Sequence, residues 1–236
     1  MTTKAVFFDL DGTLLPMDQE QFTKGYFKEL AAALAPLGSI EPQDLVAAVC
    51  DGTMAMVKNT GEALNADVFW NRFSAVTGLD AAVYRPACDH FYSHEFHNAR
   101  QFTGENPLAA EAVALARQKD RKVVLATNPL FPLVGQASRL SWIGLKPEDF
   151  DLVTSYESDR FCKPNPRYYT SICQRMGLEP RECLMVGNDD NEDMYAATAA
   201  GLRGWLVTDC RIPSRDHPWE GPRGTFRELT ELLRAL

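Results

Sequence analysis

VFFDLDGTLL, residues 6–15, carries an apolar run into two aspartates only one residue apart. Side chains alternate faces along a strand, so Asp9 and Asp11 point the same way where a strand ends. Two carboxylates that close repel each other unless something cationic lies between them. Gly12 permits a sharp exit from the strand, and Thr13 can hydrogen-bond locally to fix the turn.

Working outward, similar runs that end at polar residues recur at 122–127 (KVVLAT), 151–155 (DLVTS), 183–187 (CLMVG) and 204–208 (GWLVT), with the first at 5–10. Each reads as a strand. Helical patterns fall between and after them, at 107–118, about 133–140, 166–176, 192–200 and near 225–236. Alternating helices and near-continuously apolar strands predict an α/β protein whose parallel sheet has helices on both faces. Residues 16–104 break the rhythm, with helical patterns and no convincing strand. They predict an inserted all-helical subdomain between a split core of 1–15 and 105–236. Ligand crevices in open parallel sheets lie outside the carboxyl ends of the strands, so an insert leaving just after the first strand would hang over the crevice as a lid. Segments 14–18 and 100–105, punctuated by Pro16 and Gly104, would be its flexing linkers.

The 45% hydrophobic content supports a packed core, and 24 basic against 32 acidic residues give a net charge of −8. That balance disfavours non-specific nucleic-acid binding and attraction to anionic membranes, so any phosphate must be held by a local site. Six scattered cysteines without a CxxC pair, no signal-like N-terminal stretch and no membrane-length apolar run fit reduced thiols in a cytoplasmic protein, monomeric or homodimeric.

Four polar clusters follow four of the strands: DLDGT (9–13), TNP (127–129), CKPNP (162–166) and GNDDNED (187–193). Taken in order, the set resembles the haloacid dehalogenase superfamily, most of whose members are magnesium-dependent phosphohydrolases. The resemblance spans about residues 3–209 and implies a Rossmann-like core with a helical cap. It also implies a small phosphorylated metabolite, such as phosphoglycolate or a sugar phosphate, as substrate. Phosphate esters resist attack, so a site for them needs a nucleophile, positive charge and a proton donor for the leaving alcohol. Asp9 suits the nucleophile that forms an aspartyl-phosphate. Asp11 suits the acid and then the base, provided like-charged neighbours raise its pKa. Thr127 and Asn128 would donate to phosphoryl oxygens at the start of the following helix, with Gly12 beside them, and Lys163 would supply fixed positive charge between nucleophile and phosphate. Magnesium prefers oxygen ligands, and Asp9, the Asp11 backbone carbonyl and one residue of 188–190 are expected to hold it. The commonest family form has an acid directly after the glycine, where this chain has Asn188. The family's two usual spacings from Asp193 give Asp189 or Asn188, and Asp189 is favoured because a carboxylate better offsets a dication. Asp193 would orient Lys163 or a metal-bound water.

Each element also has a plainer reading. DGT recurs at 51–53 inside a helical pattern, with Val49 where the nucleophile would be, and is a decoy. An isolated lysine is usually solvated, and an acidic cluster often just opens a helix. His90, His94 and His97 would share one helix face, yet three histidines on one helix do not readily converge on a tetrahedral zinc ion. The face formed by Phe22, Tyr26, Phe27 and Leu30 reads as lid packing. Lys24, Lys58, Asn59, Arg72 and Arg100 are candidates to grip a second anionic group. Family dehalogenases usually lack an aspartate two residues after the nucleophile, so Asp11 favours phosphoryl transfer, by a phosphatase or alternatively a phosphomutase. A catalytically weak binding or regulatory protein is the competing class.

Overall fold

A computed structural model describes residues 2–38 and 40–236. From β1 (Ala5–Phe8) the chain enters four helices, α1 (Gln19–Leu34), α2 (Pro42–Val57), α3 (Asn65–Thr77) and α4 (Ala81–Ser93). It then runs through α5 (Ala109–Arg117), β2 (Lys122–Leu125), α6 (Leu133–Ser141), β3 (Leu152–Val153), α7 (Pro166–Met176), β4 (Cys183–Gly187), α8 (Ala196–Ala199), β5 (Arg203–Val207), β6 (Arg223–Gly224) and α9 (Phe226–Ala235).

The strands form one parallel six-stranded sheet in the order β3-β2-β1-β4-β5-β6. Strand alternation divides the core. Val6 and Phe8 face one side with Val123, Leu125, Leu184 and Val186, under α5 and α9. Ala5 and Phe7 face the other with Val124, Cys183 and Met185, under α7 and α8. This is the Rossmann-like arrangement expected. Successive connections leave β1 in opposite directions, so the crevice at a topological switch point opens beside the carboxyl ends of β1 and β4. Phe8 is in register with both Leu125 and Val186, which brings the ends of β2, β1 and β4 level and places Asp9, Thr127 and Asn188 on one rim.

Three local expectations need correction. The third strand shrinks to two half-buried residues at the sheet edge. The sixth strand, Arg223–Gly224, has no apolar signature and exists because Leu206 and Thr208 donate to Pro222 and Gly224 carbonyls. The helix expected from 192 opens instead as a π-turn, Asp190–Tyr195, before the four-residue α8. The N–H groups of Asp193 and Met194 both converge on the Asp189 carbonyl, widening that turn, and such bulges concentrate at functional sites.

Between β1 and β2 the described residues form helices joined by turns and short loops, with two isolated bridges, Asp11 to Leu15 and Met17 to Thr103. Gly104 N–H donates to the Pro16 carbonyl at 2.7 Å, so the chain leaves and re-enters the core side by side. Gly25 lets α1 press onto the turn Glu95–Phe102, because a Cβ there would lie 2.1 Å from the Phe102 ring. Among the described residues no helix is long and apolar enough to cross a membrane.

Candidate active site

Asp9 lies one residue beyond β1, 7% exposed, and Lys163 Nζ donates to its Oδ1 at 2.8 Å. The same ammonium donates to Asp193 Oδ1 at 2.6 Å. Burial opposes the charge on Lys163, but Asp193 and Asp9 outweigh it and hold its pKa well above the usual lysine value. Burial pushes the Asp9 carboxyl up to about 8 against the pull of Lys163, with Asp193 and Asp11 adding to the rise. Thr13 Oγ1 lies 3.2 Å from Asp9 Oδ2 and 3.1 Å from Asn188 Oδ1. Its single hydroxyl proton can serve only one of them at a time.

Two residues expected to touch phosphate do not face the crevice. Gly12 turns the chain at φ +86° and is covered by Asn188, whose Nδ2 would sit 2.3 Å from an added Cβ. Lys163 is 1% exposed and stands behind Asp9, because two carboxylates compete for it from below. Thr127 and Asn128 do face the crevice. The Thr127 carbonyl is pinned by Thr154 Oγ1 and Tyr168 Oη, at 2.7 and 2.9 Å. The Asn128 amide accepts from Lys163 N–H at 3.2 Å and donates to Glu192 Oε2 at 3.0 Å. The helix start expected beside Thr127 is displaced, since α6 begins only at Leu133.

In 187–193 the acids separate by partner. Gly187 has no side chain where Asp193 passes, since a Cβ there would lie 2.2 Å from Asp193 Oδ2. That oxygen accepts from the N–H groups of Asn188 and Asp189 at 2.9 and 3.0 Å. Asp189 Oδ1 caps the π-turn, accepting from Asn191 and Glu192 N–H at 2.7 and 2.8 Å. Its Oδ2 accepts no hydrogen bond among the described residues and the side chain faces the crevice. The Asn188 amide is bound at both ends, by Thr13 and by the Cys210 carbonyl at 2.7 Å.

Asp190, the third candidate in that run, turns away from the crevice and is fully buried. It accepts from Arg211 Nε and Nη2 at 3.0 and 2.9 Å and from the N–H groups of Ser214 and Trp219 at 3.0 and 2.8 Å. Burial works to raise its pKa, but Arg211 and those N–H groups hold it below the ordinary range. Asp190→Asn is therefore expected to destabilise the fold by about 3 kcal/mol, as a broken buried pair does. The carboxylate's contribution is present above the unfolded pKa of about 3.9 and lost as pH falls through the lower folded value, so the deficit should shrink in acid. Urea unfolding midpoints at neutral and acid pH would show both effects. An unchanged neutral midpoint would refute this role for Asp190.

Sequence reasoning missed two residues. Arg139, fully buried on α6, donates through Nη1 to Asp11 Oδ2 and through Nη2 to Gln136 Oε1. Its guanidinium lies 4.2 Å from the centre of the Phe131 ring. An arginine in a helix ordinarily signals a solvated face, so nothing local marked it. The other Asp11 oxygen, Oδ1, is buried without a hydrogen-bond partner among the described residues. Glu192 faces the crevice, and burial raises its pKa to about 7 against the pull of Lys163, with Asp193 and Asp189 adding to the rise. Its place in an acidic run hid it.

The polar end therefore gathers five carboxylates, Asp9, Asp11, Asp189, Glu192 and Asp193, against Lys163 and Arg139. Burial also raises Asp189, partly offset by Glu192 N–H. Excess buried negative charge, an orphaned Asp11 oxygen and all-oxygen donors fit a hard dication such as Mg2+. Among the described residues no three acidic, histidine or cysteine side chains already converge as a metal cluster. The expected set needs only two side chains, Asp9 and Asp189, with the Asp11 carbonyl. That carbonyl now accepts from Gln19 Nε2 at 3.3 Å.

The crevice and the space between the core and helices α1, α2 and α3 form one cavity of about 330 Å3. Phe22, Tyr26, Phe27 and Leu30, read from the sequence as lid packing, form its wall. Lys24, Lys58, Asn59, Arg72 and Arg100 lie outside it. Lys24 pairs with Glu20 and Arg72 with Asp51 on the surface. His90 and His94 stack, their ring centres 4.1 Å apart, but α4 stops at Ser93 and His97 turns away to accept from Trp142 Nε1 at 3.0 Å.

A family model described as haloacid dehalogenase-like hydrolase matches residues 3–201. The chain is 27% identical to a glyceraldehyde 3-phosphate phosphatase of Methanothermobacter thermautotrophicus, over 91% of this chain and 90% of that one. It is 28% identical to a phosphoglycolate phosphatase of Nitrosospira multiformis, over 86% and 82% of the two chains. Among solved structures, a HAD phosphatase from Thermococcus onnurineus superposes with a TM-score of 0.59 at 21% identity, over 98% of each chain. A 2-haloacid dehalogenase from Pseudomonas syringae superposes with a TM-score of 0.63 at 18% identity, over 99% of each. At those identities the structures speak for the fold alone.

Proposed function

The chain belongs to the haloacid dehalogenase-like hydrolases and is an enzyme of their phosphatase kind, and on that premise we propose that it cleaves a small phosphate monoester through an aspartyl-phosphate on Asp9. The observation that carries the reading is the buried Asp9, bonded to Lys163 and sharing its crevice with Asp11 two residues on.

Asp9 Oδ2, the oxygen not bonded to Lys163, attacks phosphorus. The bond to the leaving oxygen breaks, and Asp11 gives that oxygen its proton through Oδ1, the atom without a protein partner. Asp11 then takes a proton from water as that water attacks phosphorus, which frees Asp9. Lys163 orients Asp9 and moderates its charge from behind, while Thr127 and Asn128 receive the phosphoryl oxygens. Arg139 is a positioning residue that holds Asp11 toward α6. Asp9, the Asp11 carbonyl and Asp189 would hold Mg2+, which would supply positive charge to offset that of the phosphoryl oxygens. The insert over the crevice serves as a cap that closes to exclude water. The acid two residues after Asp9 supports hydrolysis over dehalogenation. We also propose a cytoplasmic location, consistent with six free thiols.

Release of inorganic phosphate from p-nitrophenyl phosphate or acetyl phosphate, with and without Mg2+, tests the reaction. No metal-dependent release from any ester would overturn it. The ion site has its own readout. Saturating Mg2+ at about a hundredfold over its Kd should stabilise the wild type by about 2.7 kcal/mol in thermal unfolding. Asp189→Asn should lose most of that shift and Asn188→Ala little, and the reverse order would move the ligand to Asn188.

A further inference from the structure

Resting on that phosphatase reading, we infer that the substrate's leaving group is an elongated, uncharged hydrocarbon chain, such as an alkyl or prenyl alcohol, threaded into the helical insert. Phe22, Tyr26, Leu30 and Leu34 of α1 all line the cavity that begins at Asp9. They fall at every fourth position, so at 1.5 Å per residue the lined stretch runs about 18 Å along the helix. Gln19, at the start of α1, touches the Asp11 carbonyl, which puts the catalytic end at the helix N-terminus and Leu34 at the far end. Leu45 and Val49, one turn apart on α2, line the same cavity.

The tunnel wall offers little to a polar substrate. Tyr26 Oη and Tyr92 Oη bond each other at 2.7 Å, Thr53 Oγ1 donates to the Val49 carbonyl at 2.8 Å, and Tyr156 Oη accepts from Trp70 Nε1 at 3.5 Å. No lysine or arginine lines it among the described residues. The two nearest buried cations are already committed, Arg139 to Asp11 and Lys163 to Asp9 and Asp193. A second carboxylate or phosphate on the substrate would lose its hydration with no cation to replace it, whereas methylenes gain by entering.

The test is a series of n-alkyl monophosphates from ethyl to dodecyl, kept below their micelle thresholds, beside phosphoglycolate and hexose phosphates, all with Mg2+. Expected is a rise in kcat/KM of about fourfold per methylene until the tunnel is filled. Leu30→Trp should lower the ratio of long-chain to short-chain kcat/KM within the same protein. Calorimetric titration with non-hydrolysable decylphosphonate and methylphosphonate gives a readout independent of turnover, and the decyl compound should bind at least a hundredfold tighter. Turnover of short or charged esters with a flat chain-length profile would overturn the hydrocarbon assignment and leave the phosphatase reading standing. Tight decylphosphonate binding with no turnover of any ester would do the opposite. Neither turnover nor preferential binding would end both.

Discussion

Asp9→Asn is expected to leave a folded protein whose phosphate release falls by at least about ten-thousandfold, as removal of a covalent nucleophile does. The fold should survive because the substitution relieves crowding. Asp9 is buried near Asp11 and Asp193, and burial already pushes its carboxyl up to about 8. Lys163 keeps its pairing to Asp193 when the Asp9 charge is gone. Unfolding midpoints at or above the wild type, together with absent turnover at saturating substrate, are the joint result. Retained turnover would place the nucleophile elsewhere.

Lys163→Met should behave differently, although both residues belong to one ion-pair chain. Methionine matches the lysine stem in volume, so packing is kept while the ammonium is lost. Asp9 and Asp193 then face each other buried and unpaired, which should cost about 3–5 kcal/mol of stability. Turnover should fall by about a thousandfold even where the protein remains folded, because Asp9 loses the ammonium that orients its Oδ1 and keeps only the Thr13 contact at Oδ2. Circular dichroism at low temperature separates the two losses. A variant as stable as wild type would show that Lys163 does not neutralise Asp193. The arrangement also bears on pH, since the pair that Lys163 bridges stays formed while its raised pKa keeps the ammonium charged.

Much of this is legible in the amino-acid pattern. The runs at 5–10, 122–127 and 183–187 announced central strands because a strand buried on both faces must be apolar throughout. Asp9, Asp11, Thr127, Asn188 and Asp189 are legible because each sits at or just past the end of such a run, where the chain leaves the sheet. The third strand is shorter than its apolar pattern and the sixth has no pattern at all, since edge pairing is decided by neighbouring backbone more than by side chains. Among the acids, Asp190 differs from Asp189 by one position. Only the π-turn determines which faces the crevice and which faces Arg211.

The amino-acid sequence by itself determined the α/β alternation, the run of helices between β1 and β2 and the acids at the ends of β1 and β4, because burial and strand ends impose local patterns. The tertiary structure alone decided that Arg139 meets Asp11 across 128 residues, that Lys163 stands behind Asp9, and that one face of α1 is a tunnel wall. A buried helix face has the same period whether it closes on a partner or borders an empty space, so pattern cannot tell a packed core from a substrate channel.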